Sequence, residues 1–137
     1  MRRTFTVDQA NLTLPYVRRI VEDIVRTYEQ WQERVREFEV VAAAGTPTSA
    51  ASSRAEELQR DVQGLAADID RYSAELEQVG ARIEGYDHGR VDFPAEVEGR
   101  PVYLCWRLGE PSVQFWHEVD TGFDARRPVQ HTARRAG

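Results

Sequence analysis

The chain has 137 residues, one domain's worth, with a formal net charge of -5. That balance argues against a general nucleic-acid or anionic-membrane binder, because both partners call for a positive field. All 18 basic residues are Arg, which excludes chemistry built on a lysine amine, and the single Cys excludes an internal disulfide framework and suits a reducing cytoplasm.

The opening residues run Met1-Arg2-Arg3 and then Thr4, Thr6, Asp8 and Gln9 instead of an apolar segment. No secretory signal is visible, and no apolar run is long enough to span a bilayer. The expectation is a soluble cytoplasmic protein. Thr6 and Gln9 have the spacing of a capping box, with Phe5 at the staple position. A short helix from there is expected to stop near Thr13, since Pro15 disfavours a helical Leu14. Pro15 then suits the first turn of the next helix.

From Leu14 the apolar residues alternate three and four apart: Leu14, Val17, Val21, Ile24, Tyr28, Trp31, Val35, Phe38 and Ala42. That is a heptad seam. Residues 45–53 read as a small-residue loop. A second helix from Ser52 or Ser53 repeats the alternation from Ala55 to Tyr86, with Gly85 as its cap; Gly64 and Gly80 each cost it about 1 kcal/mol relative to Ala. Two heptad helices of matched length, joined by a short loop, predict an antiparallel coiled-coil hairpin over 14–86. At ~1.5 Å per residue its arm is on the order of 40 Å long. Ile20 and Val25 widen the apolar stripe near the base, where a third surface should pack. Further out, the outer parts of Trp31, Phe38 and Val41 need covering, and a second copy forming a four-helix bundle is the economical answer.

After Tyr86 the period changes to two. Residues 90–97, 100–108 and 112–119 read as three short antiparallel strands, the first pushed toward an edge by Pro94. Matching apolar faces sets Leu108 opposite Val113, Trp106 opposite Phe115 and Leu104 opposite His117. In that register Tyr103, Cys105, Arg107, Trp116 and Glu118 share the outer face. The fold expected is α+β, one domain over 1–129: a long helical hairpin with a small three-stranded sheet (90–119) at its base. The segment from Asp124 should fray, and 130–137 should be a flexible tail.

With these residues in view the chain resembles the bacterial family catalogued as domain of unknown function 2203. The resemblance runs from about Phe5 to Val129. It is carried by Gly89-Arg90-Val91-Asp92-Phe93-Pro94, Leu104-Cys105-Trp106-Arg107-Leu108-Gly109-Glu110-Pro111, Trp116-His117-Glu118, and Gly122-Phe123 with Arg127-Pro128. It implies the hairpin-plus-sheet plan and no activity, so it transfers no catalytic residue.

Three readings compete for the chemistry. A zinc or iron site could draw on His117, Cys105 and Glu118, with His88 or Asp92. Adjacent strand residues point to opposite faces, however, so His117 and Glu118 cannot aim at one ion from a regular strand. The simpler expectation is a hydrogen-bonded core His, with Asp92, Asp120 or a carboxyl near Glu84 as partner, and a small buried thiol. The outer face, with Tyr103, Arg107, Trp116 and Glu118, has the composition of a protein-binding patch. The overall expectation is a non-enzymatic interaction or scaffold protein: a homodimer through its arm, meeting an unknown protein partner, without nucleic acid, membrane or cofactor. The alternative is a metal-dependent protein.

Overall fold

A computed structural model describes residues 3–44 and 48–129. Helix α1 spans Val7–Ala43 and α2 spans Ser49–Val79. The strands are β1 (Arg82–Gly85), β2 (Arg90–Val97), β3 (Arg100–Arg107), β4 (Phe115–Glu118) and β5 (Arg127–Pro128), with a 3₁₀ turn at Phe123–Ala125. All five strands pair antiparallel in chain order. The α+β class and the helical hairpin are as expected, but the sheet has five strands, not three. The added strands are short edge pieces: β1 arises where α2 was expected to continue to Tyr86, and β5 lies in the segment expected to fray. Residues 45–47 of the expected tip loop, and the expected tail over 130–137, lie outside the described residues. Among the described residues no helix is long and apolar enough to cross a membrane.

The capping box forms as read. Gln9 N–H donates to Thr6 Oγ1 at 3.1 Å and Thr6 N–H to Gln9 Oε1 at 3.0 Å. The expected break before Pro15 does not occur; α1 runs through it. A proline inside a helix costs about 3 kcal/mol, and here the burial of Ala10, Leu14 and Val17 keeps the helix continuous across the site. Asn11, whose carbonyl Pro15 cannot serve, is tied elsewhere. Its side chain accepts from Val113 N–H at 2.7 Å and donates to Val113 O at 3.3 Å.

Helix α2 starts earlier than expected, at a Thr48 cap that accepts from Ala51 N–H at 3.0 Å. It ends on Gly80, left-handed at φ 107°, a conformation glycine adopts without strain. Ending there, instead of at Gly85, releases Arg82–Gly85 to pair with β2 as strand β1.

The core lies between the base of α1 and one sheet face. Ala10, Leu14, Val17, Ile20, Val21 and Ile24 meet Val91, Phe93, Ala95, Val102, Leu104 and Trp106. At full burial each of the larger aliphatic side chains contributes about 1.5–3 kcal/mol. Helix α2 adds Leu76. Pro94 is tolerated because β1 pairs only with Arg90, Val91 and Asp92. Beyond them that edge of β2 meets no strand among the described residues, and Phe5 N–H donates to the Pro94 carbonyl at 2.7 Å.

The expected β3–β4 register is corrected. Leu104 lies opposite Trp116, Tyr103 opposite His117 and Cys105 opposite Phe115. Because side chains alternate with period two, this one-residue slip turns every β4 side chain to the other face. Trp116 therefore packs with the helical core, and His117 leaves it.

Candidate functional site

The sheet face turned away from the helices carries a buried polar cluster. Asp92 on β2 sits opposite Cys105 on β3, and Cys105 opposite Phe115 on β4. His117, one alternate position along β4, is 4% exposed, and Cys105 is fully buried. His117 Nε2 lies 3.0 Å from Asp92 Oδ1 and Nδ1 lies 2.8 Å from the Glu118 carbonyl. The Tyr103 ring covers the imidazole at 5.6 Å between centroids.

This geometry fixes the protons. A carbonyl oxygen only accepts, so Nδ1 carries hydrogen and donates to Glu118 O. Nε2 then faces a carboxylate oxygen, and one proton must lie between the two. Burial, partly offset by the His117 hydrogen bond, lifts the Asp92 carboxyl above its ordinary value. Both imidazole nitrogens are thereby committed.

Cys105 is pushed up to about 12 by burial first and the Asp92 charge second, with Arg126 opposing. Such a thiol stays protonated at neutral pH and is a poor nucleophile.

A second feature was not anticipated. Glu110, in the β3–β4 connection, and Arg126, after the 3₁₀ turn, form a two-pronged ion pair. Nη1 donates to Oε1 at 3.1 Å and Nη2 lies 2.7 Å from Oε2. Burial works against the Arg126 charge, but Glu110 outweighs it and holds the guanidinium above its ordinary value. Glu110 Oε1 also accepts from Arg107 N–H at 2.8 Å, and the Glu110 carbonyl from Trp106 Nε1 at 3.0 Å. The Arg126 guanidinium carbon lies 4.0 Å from the Phe115 ring centre and 3.9 Å from that of Phe123. Arg90 covers Phe123 at 4.8 Å. This alternating stack of rings and guanidinium groups clasps the chain after β4 across the sheet, where fraying was expected. The signal available beforehand was the pairing of Phe123 with a run of Arg, which composition alone reads as a solvated end.

The structure divides the expected sites. Cys105 and His117, expected on opposite faces, share one. Glu118 of the metal set points to the other face, where its carboxylate meets Arg100 at 2.9 Å. Among the described residues no group of three or more His, Cys, Asp and Glu is arranged to hold a metal ion. His88 is exposed and pairs with Asp87 at 3.4 Å. Of the expected partner-binding patch, Tyr103 and Arg107 lie on the outer face, while Trp116 turns inward with Arg127 over its ring at 5.4 Å. The four residues therefore do not form one surface. The expectation of Asp92 as hydrogen-bond partner to His117 agrees with the structure, though the bond lies on the face turned away from the helices and not in the core beside them.

Searches among curated proteins and solved structures give no match. The chain does match, over residues 3–129, the family described as uncharacterized conserved protein (DUF2203). That span takes in the hairpin, the sheet and the Glu110–Arg126 clasp, and the chain belongs to this family.

Proposed function

We propose that this protein is a non-enzymatic interaction module that associates with a second copy through its helical arm. The observation that carries this is how little the outer arm buries. Beyond Thr27, α1 has no buried residue among those described, and the outer half of α2 has only Leu58. Trp31, Val35, Phe38 and Val41 are half-buried, and Val40 is 71% exposed. Two helices meeting along one seam leave the flanks of such large residues in water, and a symmetric partner removes them from it.

The sheet supports the non-catalytic half of the reading. An imidazole with both nitrogens engaged inside the fold offers no lone pair to a substrate, and the neighbouring thiol is held protonated. The outer residues Tyr103 and Arg107 remain the part of the sheet that an additional protein partner would meet.

The test is sedimentation equilibrium on the parent, Trp31→Ala and Phe38→Ala. Each truncation should weaken self-association by about tenfold or more, since burying an aromatic at an interface contributes upward of 1.4 kcal/mol. A parent that stays monomeric at tens of micromolar refutes the proposal.

A further inference from the structure

Gly64 sits in the middle of α2, where glycine costs about 1 kcal/mol relative to alanine. Among the described residues nothing requires it. Its φ is an ordinary helical one, and a Cβ built there meets no atom within 4 Å. It faces an open groove of about 420 Å³ between the helices, lined by Arg34 from α1 and by Arg60, Asp61 and Asp68 from α2. A helix that gives up stability for a bare backbone spot on an open face suits the close approach of another helix.

The charges around Gly64 select which helix. Arg60 lies four residues before it and Asp68 four after; Glu57 lies seven before and Arg71 seven after. At about 100° per residue all four project within about 40° of the Gly64 direction. In each pair, positions equidistant from Gly64 carry opposite signs. An antiparallel copy of the same helix, related by a two-fold axis through Gly64, therefore sets Arg60 against Asp68 and Glu57 against Arg71, twice each. A parallel copy would set like against like. Within its own chain Arg60 makes no ion pair among the described residues. Asp68 and Glu57 hold only exposed neighbours three residues away, Arg71 and Arg54, each at 3.1 Å, and such pairs exchange readily.

We infer that the second copy docks α2 against α2, antiparallel, on a two-fold axis at Gly64. The inference rests on the arm-mediated self-association proposed above and names its surface. Gly64 admits the partner helix at close range, and the paired charges set its direction and register.

The experiment is sedimentation velocity over a concentration series for the parent, Gly64→Leu, Arg60→Asp, and the double variant Arg60→Asp with Asp68→Arg. The leucine enters open space in the single chain and improves helix propensity, so the thermal midpoint of the separated chain should not fall. Its dimer dissociation constant should nevertheless rise at least about tenfold. Arg60→Asp should weaken the dimer, and the double variant should recover to within about threefold of the parent, because the swapped charges meet again across the axis. A dimer weakened by Trp31→Ala but indifferent to Gly64→Leu and Arg60→Asp overturns this surface and leaves arm-mediated association standing. Failure of the double swap to recover overturns the antiparallel register. A monomeric parent overturns both.

Discussion

His117 on β4 reaches across the intervening strand β3 to place Nε2 3.0 Å from Asp92 on β2. The contact passes over Cys105, which lies directly opposite Asp92. It fastens two non-adjacent strands on the face that the helices leave uncovered. Removing one partner should therefore cost more than an exposed hydrogen bond would. Asp92→Ala strands Nε2 without a partner in a buried site, and we expect a loss of about 1–3 kcal/mol in urea unfolding. Asp92→Asn, whose amide can donate to Nε2, should lose less than half as much.

The same carboxyl makes stability depend on pH. Burial raises Asp92 above its ordinary 3.8, so the native state keeps a proton that the unfolded chain has shed. Its contribution to stability is complete below 3.8 and declines as pH rises from there through the raised value. Asp92→Asn should remove this component of the slope. Unfolding free energies of parent and variant, compared across that window, provide the check; parallel curves would contradict it.

Cys105 should be silent toward thiol reagents in the folded protein. Its thiol is fully buried and pushed up to about 12, so almost no thiolate exists at pH 8. Alkylation followed by mass spectrometry should show negligible native labelling over hours and complete labelling in denaturant. Native labelling at the rate of an exposed cysteine would contradict the burial. Because the native thiol holds its proton longer, Cys105 also contributes a decline in stability above pH 9.0, the ordinary thiol value.

The Glu110–Arg126 pair should act as the fastener of the last strand. Arg126→Ala removes both prongs and the packing between Phe115 and Phe123, leaving a largely buried carboxylate with one backbone donor. A loss of about 2 kcal/mol is expected. Amide exchange at Val129, whose N–H donates to Gln114 O at 2.8 Å, should quicken more than exchange in α1. Arg126→Lys should rescue only partly, because an ammonium cannot reproduce the fork or the stacking.

Gly89 should tolerate no side chain. It has φ +67°, and a Cβ there would stand 2.7 Å from Val21 Cγ1 and 2.9 Å from Leu108 Cβ. Gly89→Ala combines left-handed strain with overpacking, and about 3 kcal/mol should be lost in thermal or urea unfolding. Gly99→Ala is the matched control. It has φ +78° with nothing within 4 Å, so only the strain, about 1 kcal/mol, applies.

The helical hairpin, the period-two region after it and the capping box at Thr6 and Gln9 were legible from the residues alone. Those features follow from spacing and from local hydrogen bonds, which a short window of residues contains. Asp92 was legible as one partner for His117 because few carboxyls lie within reach of a buried imidazole. The path of α1 through Pro15 was settled by packing, where burial of Ala10, Leu14 and Val17 outweighs a local penalty. Packing also set the β3–β4 register. Phe115, Trp116 and His117 read as apolar on either face, and the connection over 108–114 is too long to dictate a turn. Two registers were thus locally equivalent, and whole-molecule packing chose between them. Trp116 fills space beside the helices, while Phe115 on the other face completes the stack with Arg126, a residue distant in sequence. A side-chain period of two converts that single-residue choice into a different site, which is why the cluster of Asp92, His117, Cys105, Glu110 and Arg126 could not be assembled from the sequence alone.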